Sequence, residues 1–308
     1  MKYKKDPKTI QQQIELLKER GLSFNNEKEA ESILSSVSYY RLSAYFLTFQ
    51  HKDGTHAFKP NATFNYAYNT YLFDGELRHI LFNAIETIEI ALKARMINLL
   101  SIEYGSLWYI NNIYFFNKEW HADCLEIIKK DINNSKEVFI EHYRSKYSDP
   151  EMPPAWIALE VVSLGTISKM YKNLLKGKIK TEIAKSFGLP VDVFSSWIET
   201  LAYVRNLCAH HSRVWNRILV KKPILPNRVK NKWVTLPFQM KTVDDTNENE
   251  HLKIRIYPVL CLIQYLIRTI DNKNSIFNEM KSCLTMYPTV PISYMGFPDN
   301  WVEDVFWK

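Results

Sequence analysis

The residues of this chain best equipped for chemistry lie in one run, RNLCAHHSRVWNR at 205–217, where His210 and His211 stand among Arg205, Arg213 and Arg217. Three chemistries compete for it. Cys208, His210 and His211 are metal ligands by type, but a structural zinc site needs four convergent donors, and neighbouring helical positions point about 100° apart. No second cluster of Cys and His supplies the missing donors, so neither a metal nor any other cofactor is expected. A packed core would account for histidines beside Trp215, yet it leaves Arg205 unexplained. The third chemistry is proton transfer at a phosphate. Asn206 and His210, four residues apart, share a helix face, whereas Arg205 and His210, five apart, diverge by about 140°. Arg205 reaches the imidazole by curling its long side chain, through a distortion at the helix end, or across a two-fold axis from a second copy of the chain.

The element that must position this run is visible in the pattern. VDVFSSWIETLAYVRNLCAHHSRVWNRIL puts Phe194, Trp197, Ile198, Leu201, Val204 and Cys208 on one apolar stripe, with Asp192 as candidate N-cap. Arg205 falls near the centre of that stripe, close in angle to Ile198. A guanidinium cannot shed its charge there, so it must find acceptors, or face a cleft or a subunit boundary.

Eight glycines in 308 residues favour long helices over many short strands, and the expected fold class is all-α. KTIQQQIELLKERG and NEKEAESILSSVSYYRLSAYFLTF, the second capped by Asn26, make an N-terminal helical unit over residues 1–65. A long helix is expected over 71–100, where Leu77, Leu81, Ala84, Ile88, Ala91 and Leu92 share a face. Asp74 and Arg95 project inside that face, and Arg78 and Glu89 lie at its edge. Arg78, Glu89 and Arg95 have two readings: an auxiliary polar layer around an active cleft, or an ion-pair network between the two long helices. Further helices are expected over 155–175, behind Pro153 and Pro154, and over 250–270. Together these form a helical domain over 66–282, interrupted at about 221–250 by an irregular or hairpin-bearing insertion. The Pro- and aromatic-rich tail, 283–308, is expected to pack on it.

Forty Lys and Arg against 33 Asp and Glu give a formal charge of +7, which suits a polyanionic partner without naming one. The basic run KKPILPNRVKNKW could touch phosphates or simply be solvated. Aromatic residues, 14% of the chain, are read as filling a helical core and its rim rather than as base-stacking platforms. The four cysteines have no paired spacing, so disulfides are not expected, and no apolar run approaches a membrane span. The expectation is a soluble, cytoplasmic chain with no membrane partner.

Five stretches, YYRLSAYFLTF, FDGELRHILFNAIETIEIALKARM, PPAWIALEVVSLGTISKMY, RNLCAHHSRVWNR and MGFPDNW, occur in an order that resembles the blocks of the Abi-like (AbiD/AbiF type) abortive-infection family. Arg205 and Asn206 followed by His210 resemble the signature of the HEPN superfamily. The resemblance covers nearly the whole chain. It implies an all-α, HEPN-like helical bundle acting in bacterial antiphage defence: a homodimeric, metal-independent endoribonuclease that arrests growth by cutting RNA, restrained by a small RNA or antitoxin. It further implies that Arg205, Asn206 and His210 are catalytic, with His211 as a competitor or auxiliary. The family's spacing and the face shared with Asn206 favour His210. A non-catalytic RNA-binding or partner-binding HEPN-like regulator is the alternative, against which the intact set of three residues argues.

Overall fold

α1 (Ile10–Glu19) begins where Thr9 and Gln12 form a reciprocal capping box, satisfying two backbone N–H groups that the first turn leaves without partners. It stops before Gly21, whose φ of 91° is left-handed backbone that glycine adopts without a Cβ penalty. α2 (Glu27–Val37) starts on the expected cap, the Asn26 side chain accepting from the Glu29 N–H. The sequence from Asn26, periodic through Leu34 and Val37, reads as one helix to residue 49, but Ser38 takes a φ of 69°, ends α2, and caps a separate α3 (Tyr39–Phe46) with its hydroxyl. α4 (Phe64–Tyr104) then runs from 64 rather than 71 and to 104 rather than 100.

In this computed structural model, which describes residue 2 and residues 6–226, 229, 232–235 and 254–308, the chain divides into two compact units. One holds the residues up to Arg78 together with Glu279–Pro291; the other holds His79–Asn278 and Ile292–Lys308. The backbone passes between them within α4, within α12 (Phe277–Met286) and again after Pro291. Among the described residues there are twelve α-helices, and pairing of the β type is confined to isolated bridges such as Phe115 with Leu174. The fold is all-α, as expected.

The first unit is built on Leu17, Leu34, Leu42, Phe46 and Phe73, all removed from solvent. Inside it Asp74, fully buried, accepts hydrogen bonds from Tyr45 Oη and Arg78 Nη1, each at 2.6 Å. The second unit contains α5 (Lys118–Asn134), α6 (Val138–Lys146), α7 (Ala155–Ala158), α8 (Leu164–Asn173), α9 (Lys178–Ser186), α10 (Val191–Ala209) and α11 (Tyr257–Ile270). Its centre is α10, which packs on α8, α9 and α11. The apolar stripe read from the sequence is buried throughout, with Trp197 edge-on to Tyr265 of α11 at 5.5 Å and Phe194 stacked on Phe187 at 4.8 Å. Each such side chain contributes roughly 1.5–3 kcal/mol by leaving water. All four cysteines are buried.

The helix expected over 155–175 is broken. After α7 and a short 3-10 turn, Val162 is extended, and Ser163 restarts the chain as the N-cap of α8. The β-branched pair Val161 and Val162 weakens helix continuity at that point, and a serine beside it captures the freed N–H. α10 starts at Val191 with Pro190 as its cap residue, so Asp192 sits in the first turn instead of capping. The 221–250 insertion falls largely outside the described residues, and its hairpin reading lies there; residues 221–226 carry no regular element. Among the described residues no helix is long and apolar enough to cross a membrane.

Candidate functional site

α10 ends inside the 205–217 run. His210 is its C-cap, with its N–H donating to the Asn206 carbonyl. His211 follows at φ 52°, its N–H bonded to the Cys208 carbonyl, while the Ser212 N–H reaches back to the Leu207 carbonyl at 2.8 Å. This pair of bonds is a Schellman closure, and the left-handed position within it usually belongs to glycine. Histidine there costs about 1–2 kcal/mol of backbone strain. The reversal separates the roles of the two neighbours: His210 completes the helix, and His211 turns the chain away from it. Beyond it Val214 and Trp215 return to the core, and buried Arg255 bonds the Asn216 carbonyl and side chain, fixing where the run leaves.

Arg205 lies half-buried, with its guanidinium over the Phe82 ring of α4, 5.5 Å from the centroid. No hydrogen bond or ion pair satisfies it among the described residues. Other arginines differ in this respect: Arg78 bonds Asp74, Arg95 the Ser186 carbonyl, Arg144 the Ile132 carbonyl, and Arg268 the carbonyls of 306–308. Asn206 and His210 are exposed.

Asn206 also lines a cavity of about 530 Å³ between three helices. α10 contributes Glu199, Ala202, Tyr203 and Asn206, a stripe of i, i+3, i+4, i+7 spacing beside the apolar one. α8 presents Gly165, Ser168, Lys169 and Lys172 at the same spacing, and α5 presents Trp120, Asp123, Cys124 and Ile127. At one end Glu199 accepts from Lys172 at 2.8 Å and from Lys221 at 2.6 Å, and these two bonds hold its carboxyl below the ordinary range. Burial pushes the Cys124 thiol up, so it stays protonated. Tyr203 Oη accepts from Arg217 Nε at 3.3 Å, and Arg217 also bonds the Arg213 carbonyl.

The auxiliary candidates do not assemble into one network. Arg78 belongs with Asp74 and Tyr45 in the first unit. Glu89 pairs with Lys93 four residues on, and Lys93 reaches the Glu160 carbonyl. Arg95 lies 4.1 Å from the Phe187 centroid, and burial lowers its pKa. The ion pairs of Arg78 and Glu89 run along α4, not between two long helices.

Sequence reasoning missed Trp120, Lys169, Lys172, Glu199 and Tyr203, and had Lys221 only as the first residue of the basic run that could touch phosphates. The stripe of α10 could have been found by its spacing. α5 could not, because its buried face carries His121 and Cys124 where a helix ordinarily shows aliphatic residues; His121 is held by the Tyr109 carbonyl at 2.8 Å. Among the described residues no group of three or more His, Cys, Asp or Glu is placed to hold a metal ion.

A family model described as Abi-like protein matches residues 32–216, from within α2 to all but the last residue of the candidate run. The chain belongs to the Abi-like family. Three-fifths of the Abi-like protein, including α4, the three helices around the cavity and the Schellman closure, lies inside the matched span. Membership suggests a part in abortive-infection defence. No curated protein and no solved structure matches the chain.

Proposed function

We propose that this Abi-like protein is a metal-independent endoribonuclease of HEPN type, acting as a homodimer and arresting growth during phage infection. The observation that carries the reading is Arg205: a half-buried guanidinium with no acceptor among the described residues, one position from an exposed Asn206 and five from an exposed His210. A cation held against a ring with its donors unspent is a binding group awaiting an anion, and in RNA the anion is the phosphate.

RNA supplies its own nucleophile. His210 takes the proton of a 2′-OH, the oxygen attacks the adjacent phosphorus, and the bond to the 5′-oxygen breaks, leaving a 2′,3′-cyclic phosphate. The departing oxygen takes a proton from an acid, for which His211 or the His210 of a second copy is available. An imidazole suits the base role because it titrates near neutral pH. Arg205 neutralises the phosphoryl oxygens as charge accumulates, and Asn206 orients the phosphate or the imidazole. A small RNA or antitoxin would restrain the activity in the cell.

One observation favours the alternative, a non-catalytic RNA-binding or partner-binding regulator: no residue among those described orients the His210 ring. In the homodimer the second copy supplies that partner. The deciding experiment is cleavage of one end-labelled RNA in EDTA by wild type and by His210→Ala, with the ends identified. Cyclic phosphate from wild type and none from the variant is expected. Cleavage that EDTA stops and magnesium restores, or wild-type rates in a folded His210→Ala, would end the reading.

A further inference from the structure

The cavity between α5, α8 and α10 is larger than the candidate catalytic residues require. Asn206 is its link to them, and Glu199, at the other end of the same stripe, lies seven residues or about 10 Å away along the helix. Two features of it remain without a structural purpose, and a third leaves positive charge over. Trp120 is 53% exposed and Ile127 37% exposed on one face of α5, which leaves an apolar wall open to water. Lys169, exposed on α8, has no acidic partner among the described residues. Lys172 and Lys221 both converge on one carboxylate, so the triplet keeps a net positive charge. Against Asp123 and Glu199, the three lysines leave the groove cationic.

We propose that this groove seats an RNA nucleotide next to the bond that is cut, with its base laid against Trp120 and its phosphate taken by Lys169 and the outer faces of Lys172 and Lys221. This rests on the cleavage reading for the identity of the bond and on the groove alone for the binding. An aromatic face beside unspent cations is the combination that holds single-stranded nucleic acid, because every base has a π-face and every linkage a charge. The volume, about 530 Å³, lies within the range of sites that enclose small organic ligands. Tyr203 lines the groove and, with its Oη accepting from Arg217, still has an O–H to donate, which gives the groove a means of preferring one base over another. The site is one nucleotide removed from the chemistry: Asn206 lines the groove beside Arg205, while Lys172 and Lys221, held at Glu199 about two turns back along α10, are too far to share the phosphate that Arg205 would hold.

The test uses a fluorescein-labelled single-stranded 2′-O-methyl oligonucleotide, which offers no 2′-hydroxyl to attack, and the full chain in wild-type, Trp120→Ala and Lys169→Ala forms. Both substitutions are at exposed positions, so the fold is retained. Fluorescence anisotropy should show affinity about tenfold or more weaker for Trp120→Ala. For Lys169→Ala, the slope of log affinity against log salt should fall by about 0.7, one phosphate contact on a single strand. Lys129→Ala, on the opposite side of α5 where it lines a different cavity, should leave both values unchanged. If wild type binds and the two groove variants bind alike, the groove assignment is overturned and the cleavage reading stands; a partner protein is then the occupant to seek. If wild type binds, the groove variants weaken, and natural RNA is nevertheless not cut, the groove is upheld and the cleavage reading falls. A wild-type chain that binds no oligonucleotide overturns both.

Discussion

At the residue scale the two histidines are separable by backbone alone. His210→Ala is expected to slow cleavage by about 10²–10⁴-fold with fold and RNA affinity kept, since a general base acts on rate and little on binding. Retention of wild-type rate in a folded variant would remove His210 from the mechanism. For His211 the informative substitution is glycine. At φ 52° most residues other than Asn or Asp keep the strain, whereas glycine relieves it at the cost of about 0.5–1 kcal/mol in unfolded-state freedom. His211→Gly should therefore hold stability or raise it by up to about 1 kcal/mol in urea unfolding. If cleavage also falls steeply in that more stable protein, the imidazole is the acid; unchanged cleavage assigns the acid elsewhere. Arg205→Lys keeps the charge and loses the fork, so a rate between wild type and Arg205→Ala would mark directed donors as the source of its effect. Spacing and the face shared with Asn206 favoured His210, but they said nothing of the left-handed backbone at His211 that separates the two.

At the element scale, α10 was legible because its burial follows one period: six apolar residues at helical spacing predicted the buried stripe, and Arg205 stood out as the exception. The breaks were less legible. Ser38 and Ser163 interrupt segments whose hydrophobic period continues on either side, and only the capping geometry shows that two helices meet there. The groove was hidden for a further reason, since it is assembled from three helices distant in sequence and α5 hides its register behind His121 and Cys124. One element-scale consequence is testable by pH. The Glu199 carboxyl is held down by Lys172 and Lys221, so below its ordinary value of 4.5 the unfolded chain takes up the proton first. The stability it contributes is present above that value and lost as pH falls through the depressed one. Glu199→Gln should be less stable at neutral pH and should lose less than wild type between about pH 5 and about pH 3, measured by chemical unfolding. Parallel losses in the two proteins would mean that the triplet contributes nothing to folding, as exposed pairs often do.

At the scale of the whole molecule, light scattering after size exclusion should give twice the chain's 36.4 kDa; a strict monomer at micromolar concentration would count against the paired-copy mechanism. Alkaline stability follows from Tyr45 in one unit and Tyr109, Tyr171 and Tyr257 in the other, all pushed well above the ordinary value of 10 chiefly by burial. Their contribution is fully present below that value and lost as pH rises through the folded ones, so the melting temperature should drop above about pH 10. A melting temperature that stays flat for about two pH units above 10 would contradict it. The buried cysteines offer something different. Burial pushes the Cys283 thiol up to about 12 and raises Cys124 and Cys261 as well, so an alkylating reagent meets almost no thiolate while the helices stay closed. Cys283 belongs to one unit, and Cys124, Cys208 and Cys261 to the other. The chain thus carries its own clocks: the pace at which each thiol is trapped by iodoacetamide reads how often that unit breathes open, and Cys208, two residues from His210, keeps time for the end of α10 itself.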